Sequence, residues 1–316
     1  MLDSLLLLFA GVALAIWGGT LFVNGGVGLA QRARWPTAVI GVTVAAFGTS
    51  SPELLVAVRA AQDGVANISL GNVLGANVIN VALVMGLVLS MGGLRTGEDG
   101  GSRRDWAAAL LLPGLMAVLL LDGWFSRVDA FILLAVFVLW LVVVLRHALG
   151  HAAREEGIIR PEPVPKRRKV MLELVCGLGL LVVASDLVVT GGRGVAQALG
   201  WSSFVVGAVV VALATTTPEL SVSLVSRFRG HDDIGLGNIL GSNIFNACVV
   251  GAVTALIQPY AVKRAEVMPS LACGAVAVLL IWPPRSGFLR RWHGFVLLAL
   301  YVVYVSMTLG AGGAGR

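Results

Sequence analysis

The chain carries one stretch twice. Residues 26–58, "GVGLAQRARWPTAVIGVTVAAFGTSSPELLVAV", align without a gap on residues 192–224, "GRGVAQALGWSSFVVGAVVVALATTTPELSVSL". At the same offset, "ISLGNVLGANVINVALV" at 68–84 meets "IGLGNILGSNIFNACVV" at 234–250. Gly41 matches Gly207, and Pro52 and Glu53 match Pro218 and Glu219. Gly71, Asn72, Gly75, Asn77 and Asn80 match Gly237, Asn238, Gly241, Asn243 and Asn246. Whatever the first copy folds into, the second must fold into as well.

Both copies lie in long apolar runs. The chain of 316 residues is 57% hydrophobic and 13% charged, with a mean hydropathy of +0.90. Too few polar residues exist to coat a soluble core of this size, and several runs approach the roughly 20 residues that cross a bilayer as a helix. The expected fold is an all-α integral membrane protein with ten transmembrane helices. Their expected bounds are 4–31, 36–62, 67–91, 106–122, 128–146, 170–199, 202–226, 234–258, 266–283 and 293–310. The N-terminal run has no basic segment before it and reads as a first span, not a cleaved signal peptide.

Residues 1–150 then form a first five-helix repeat, 151–168 a polar linker, and 169–316 a second five-helix repeat. Five is odd, so the second repeat enters the membrane from the opposite side. Such inverted repeats are a common plan of secondary transporters, with the substrate near the midplane. If the N-terminus is outside, seventeen of the 23 basic residues fall at cytoplasmic ends, as the positive-inside rule asks. Both termini are therefore expected outside and the linker in the cytoplasm, in a cell (inner) membrane. Trp35, Trp106, Trp124, Trp201, Trp282 and Trp292 fall near expected span ends, where interfacial anchoring would put them.

The repeated segments are also the most polar parts of the spans. Intramembrane carboxylates and amides are costly in lipid, so their duplication points to function. Two carboxylates that approach each other repel unless a cation sits between them. Hard cations take oxygen ligands, and these segments offer carboxylates, carbonyls, hydroxyls and amides with no His and a single Cys, Cys248. Softer transition metals are disfavoured on that ground. Pro52 and Pro218 have no amide hydrogen, so the carbonyls of Gly48 and Ala214 lose their helical partners. Thr49 and Glu53 share one helical face, as do Thr215 and Glu219. The Gly71–Gly75 and Gly237–Gly241 spacings allow close helix approach.

Cys176, Cys248 and Cys273 are odd in number and form no CxxC pair, so neither a disulfide framework nor a zinc site is expected. No His lies near membrane depth, and no nucleophile with a base is in view; an enzyme is not expected. The net charge of +6 gives no sign of nucleic-acid binding. The basic run "PVPKRRK" suits either lipid head groups or a solvated turn.

The paired "GTSSPEL" and "ATTTPEL", followed by "GNVLGANVIN" and "GNILGSNIFN", resemble the two α-repeats of the sodium/calcium exchanger family, in the cation/Ca²⁺ antiporter superfamily. The resemblance implies Na⁺ entering in exchange for Ca²⁺ by alternating access. It implies that Glu53 and Glu219 bridge Ca²⁺, that Thr49 and Thr215 give backbone and hydroxyl oxygens, and that Ser50 and Thr216 stand beside them. The carbonyls of Ala46 and Ala212 and the hydroxyl of Ser242 would form flanking Na⁺ sites, and Asn80 and Asn246 would line the middle. The first and sixth spans would slide across a rigid core. Transported Ca²⁺ and Na⁺ and membrane lipid are the expected partners, with no cofactor, and the unit is expected to be a monomer.

Two departures matter. The position matching Ser242 is Ala76, which has no hydroxyl, so the flank opposite Ser242 is expected to be weakened or served by water or a carbonyl. Asn246 stands where some members carry Asp, which leaves a formal charge of minus two. One Ca²⁺ or two Na⁺ would neutralise it; a third Na⁺ would make exchange electrogenic. An H⁺-coupled or K⁺-assisted exchanger and a passive cation channel are the alternatives. Asp186, deep in the sixth span and matched by Thr20, is expected to make a satisfied contact in the bundle, to assist ion access or to anchor the sliding helix.

Overall fold

A computed structural model describes residues 1–32, 46–95, 100–152, 165–228, 232–284 and 286–313. Arg34, Trp35 and Gly41 lie outside them. In chain order the helices are α1 (Leu2–Arg32), α2 (Ala46–Thr49), α3 (Ser51–Gln62), α4 (Ala66–Val78), α5 (Gly86–Met91), α6 (Gly100–Leu119), α7 (Arg127–Ala152) and α8 (Arg167–Leu199). Then follow α9 (Ser203–Val205), α10 (Ala212–Thr215), α11 (Thr217–Phe228), α12 (Asp232–Phe245), α13 (Gly251–Ile257), α14 (Arg264–Leu280) and α15 (Arg291–Gly313). Three π-helical segments bridge neighbours without a break: Ile79–Met85, Val206–Val211 and Asn246–Val250.

Among the described residues, six helices are long and apolar enough to cross a membrane, or seven if Ser203–Thr215 and Thr217–Phe228 form one broken span. Helix α14 has only 17 residues, about 26 Å at 1.5 Å per residue. Helix α6 carries Arg103, Arg104 and Asp105 in its first turns.

Burial sorts the apolar helices into two kinds. The spans Ala66–Met91 and Gly235–Ile257 are 78% and 83% buried, whereas Leu2–Leu29 and Arg291–Gly310 are 28% and 22% buried. A helix that is apolar all round and buried all round is core. The helices of the first kind carry the Asn motifs and make the centre. The second kind present large apolar side chains outward, among them Phe9, Phe131, Leu139, Val175 and Val302. Exposed apolar surface on this scale suits lipid contact.

Close approach is enforced by glycine. A Cβ at Gly71 would meet the carbonyl oxygen of Phe204, one at Gly75 that of Ala208, and one at Gly207 that of Ile68. So α4 lies backbone to backbone on the helix that leads to Glu219. Gly237 has no such neighbour among the described residues. The long helices α1 and α8 run antiparallel, with Gly11 against Ala184 and Val188, Gly18 against Gly177 and Leu181, and Gly25 against Val170 and Leu174.

Two short antiparallel ladders tie loops at the rim. Leu94 pairs with Leu289 and Arg95 with Phe288; Trp124 pairs with Ala261 and Phe125 with Tyr260. Each joins one half of the chain to the other. Trp106 corrects an expectation: it is fully buried and not interfacial, because it sits among Leu89, Leu94, Ala109 and Leu289 in the apolar cluster beside α6. Trp124, Trp282 and Trp292 are exposed, as anchoring would have it.

Candidate cation site

The proline motifs do break their helices. Helix α2 stops at Thr49, Ser50 takes φ −86° and ψ 10°, and α3 begins at Ser51. Helix α10 stops at Thr215, Thr216 takes φ −76° and ψ −1°, and α11 begins at Thr217. Proline in the first turn of a helix costs nothing in hydrogen bonds, because that amide has no helical partner anyway. Each break therefore places a carboxylate at the start of a new helix, where the helix dipole favours negative charge.

Glu53 and Glu219 are both completely buried, and they interact electrostatically. Around them two kinds of bond recur in both copies. Thr49 donates to Asn238 Oδ1 at 3.2 Å, and Thr215 donates to Asn72 Oδ1 at 3.0 Å. Each threonine thus holds the asparagine of the opposite repeat. Asn77 Nδ2 donates to the Asn243 carbonyl at 3.1 Å, and Asn243 Nδ2 returns the bond to the Asn77 carbonyl at 3.1 Å. Asn80 Nδ2 donates to Asn243 Oδ1 at 2.9 Å.

The carboxylates themselves are not equivalent. Ser50 Oγ donates to Glu219 Oε1 at 3.1 Å, and Ser242 Oγ donates to the same atom at 3.3 Å. The Ser242 hydroxyl also lies 3.4 Å from that of Thr49. Among the described residues, neither oxygen of Glu53 accepts a hydrogen bond. Thr216, the match of Ser50, turns its hydroxyl back to the Ala212 carbonyl at 2.6 Å. Ala76, the match of Ser242, is fully buried with nothing to donate. Thr215 lies beside Glu53, but its one proton goes to Asn72.

Several buried acceptors have no hydrogen-bond partner among the described residues: both oxygens of Glu53, Glu219 Oε2, Asn80 Oδ1 and Asn246 Oδ1. Native interiors pair such groups, and an unpaired one calls for an explanation. A set of oxygens of this kind, two of them from carboxylates, fits a hard cation taken as cargo. Phe47, stacked on Phe245 at 4.9 Å and tilted against Phe137 at 5.5 Å, closes the apolar side next to Gly48 and Asn246.

Of the residues expected at the site, Thr49, Ser50, Glu53, Asn80, Thr215, Thr216, Glu219, Ser242 and Asn246 are all buried on the central helices. Ala46 opens α2 and Ala212 opens α10. The Ala212 carbonyl accepts both the Thr216 amide at 3.0 Å and the Thr216 hydroxyl. The Ala214 carbonyl, freed by Pro218, is taken by Thr217 Oγ1 at 2.9 Å. Asn72, Asn238, Asn77 and Asn243 were not singled out as site residues; their duplication was the available signal. Asp186 is half exposed and pairs with Arg59 Nη2 at 2.8 Å, on the helix that carries Glu53.

The family model described as "Sodium/calcium exchanger protein" matches residues 3–146 and 169–310. The putative antiporter CaxA of Alkalimonas amylolytica is 31% identical, over 96% of this chain and 98% of its own. The sodium/calcium exchanger MaX1 of Methanosarcina acetivorans is 24% identical over 96% and 97%. The sodium-calcium exchanger NCX_Mj, soaked with 2.5 mM Na⁺ and 10 mM Sr²⁺, superposes with a TM-score of 0.68 at 30% identity, covering 96% of this chain and 98% of that one.

Proposed function

The chain belongs to the sodium/calcium exchanger family, and we propose that it is a secondary antiporter that exchanges Na⁺ for Ca²⁺ across the cell membrane by alternating access. Ten spans in two inverted five-helix repeats carry it, with both termini outside and the linker 151–168 in the cytoplasm. The observation that carries the reading is the pair of fully buried carboxylates, one from each repeat, amid unpaired buried oxygens.

Glu53 and Glu219 hold Ca²⁺ between them. Asn80 and Asn246 supply amide oxygens, and Thr49 and Thr215 supply oxygens from the ends of the broken helices. A charge of minus two so deep in the membrane is costly when empty, so the site is stable only when loaded with Ca²⁺ or with Na⁺. That is the physical basis of exchange over leak: the bare site resists crossing.

The close contacts of Gly71 and Gly75 with Phe204 and Ala208 and the Asn77–Asn243 bracket keep the central helices rigid. The antiparallel pair α1 and α8, packed glycine to backbone, moves as one body over that core and opens each side in turn. The test is Ca²⁺ uptake by reconstituted vesicles under an imposed Na⁺ gradient and, separately, an imposed pH gradient. Uptake driven by the Na⁺ gradient supports the reading; uptake driven only by the pH gradient overturns it.

A further inference from the structure

The two flanks of the candidate site are unequal in the hydroxyls they bring to the carboxylates among the described residues. On the flank of Glu219, three hydroxyls converge: Ser50 and Ser242 on Oε1, and Thr49 at 3.4 Å from Ser242. A dehydrated alkali ion there finds a carboxylate and hydroxyl oxygens already gathered. Among the described residues, the flank of Glu53 is built from the matching positions and keeps only the Thr215 hydroxyl, whose proton goes to Asn72. Ala76 replaces Ser242. Thr216 faces away, into the Ala212 carbonyl. That carbonyl is saturated by the amide and the hydroxyl of Thr216, and the carbonyl of Ala214 is capped by Thr217.

We infer that this exchanger binds Na⁺ at the centre and at the Glu219 flank only, that Ala76 is the residue that removes the second flanking ion, and that exchange is two Na⁺ for one Ca²⁺ and electroneutral. The inference rests on the Na⁺/Ca²⁺ reading above and adds a number to it. The charges agree with the geometry. Glu53 and Glu219 sum to minus two, and within the buried cluster the neighbours Ser50, Asn72, Asn80, Thr215, Asn238, Ser242 and Asn246 are neutral. Two Na⁺ or one Ca²⁺ each bring the site to zero. A third Na⁺ would have to enter a flank that, among the described residues, has no counterpart of the Ser50 and Ser242 hydroxyls on its carboxylate, and would leave a net positive charge in the membrane interior.

The experiment uses the full chain in proteoliposomes, with ⁴⁵Ca²⁺ flux driven by a Na⁺ gradient and a membrane potential set by a K⁺ gradient and valinomycin. The expected result is a final Ca²⁺ ratio that follows the Na⁺ gradient and ignores the potential. If a net charge crossed in each cycle, about 100 mV would carry about 2.3 kcal/mol and shift that ratio roughly fifty-fold. A shift of that size, with Na⁺ driving the flux, overturns the inference and leaves the exchanger reading intact. Absence of any Na⁺-driven flux overturns both. A76S restores the hydroxyl and is expected to raise the Hill coefficient for Na⁺ and to make the final ratio respond to potential. An A76S protein that folds and behaves as the parent contradicts the role given to Ala76. If A76S does not fold, the potential measurement on the parent chain still decides.

Discussion

Ser50 Oγ donates to Glu219 Oε1 across the repeats at 3.1 Å, with both residues completely buried. The bond joins the break in one proline motif to the carboxylate of the other. A hydrogen bond to a charged group contributes about 1.5–3 kcal/mol. S50A is therefore expected to weaken the apparent Na⁺ affinity by roughly ten- to hundred-fold, read from the Na⁺ dependence of Ca²⁺ flux. An unchanged Na⁺ dependence would remove Ser50 from the site.

Asn77 and Asn243 bracket the two central helices through each other's carbonyls. N77A leaves the Asn243 carbonyl without that donor and is expected to cost about 1–3 kcal/mol of stability. N243A should cost a similar amount. Because the two residues form one unit, the double variant should fall short of the sum. Thermal unfolding in detergent measures all three, and strict additivity would contradict the bracket.

Gly75 meets the carbonyl of Ala208 where a Cβ would sit. G75A should force the helices apart, at about 1–3 kcal/mol, with a loss of Ca²⁺ exchange. Gly179 on α8 is exposed, with no atom of the described residues outside its own helix near its would-be Cβ. G179A should be neutral, or stabilising by up to about 1 kcal/mol from helix propensity. Equal effects at the two sites would contradict close packing at Gly75.

Asp186 ties α8 to α3 through Arg59, and Arg59 and Arg193 also pair with Asp63. Both Arg59 and Asp186 are about half exposed, so the pair contributes at most about 1 kcal/mol, less as salt rises. Its importance lies in what it joins: a helix proposed to move and a helix proposed to stay. D186N is expected to alter the exchange rate at saturating Ca²⁺ while leaving Ca²⁺ affinity alone. A change in affinity without a change in rate would contradict that role.

Much of this was legible in the residues. Apolar runs marked the helices, and the duplicated "PEL" and "GNxxGxN" segments marked the buried polar residues that form both halves of the proposed site. The asymmetry at Ala76 was visible once the copies were aligned. The pairing of Thr49 with Asn238 and of Thr215 with Asn72 was not, because the register between helices 143 and 189 residues apart leaves no trace in local periodicity. The turn of the Thr216 hydroxyl toward Ala212 was equally hidden: serine and threonine both reach back to a helical carbonyl or outward to a neighbour, and only tertiary packing decides. Trp106 went wrong for a related reason, since an aromatic near a span end is anchored or buried according to what packs over it.

The central claim is that Glu53 and Glu219 together hold the transported Ca²⁺. The most direct measurement is ⁴⁵Ca²⁺ flux driven by a Na⁺ gradient in proteoliposomes containing the parent chain, E53Q or E219Q at matched protein content. The account predicts robust flux for the parent and none above background for either variant. Full exchange by folded E53Q would contradict it.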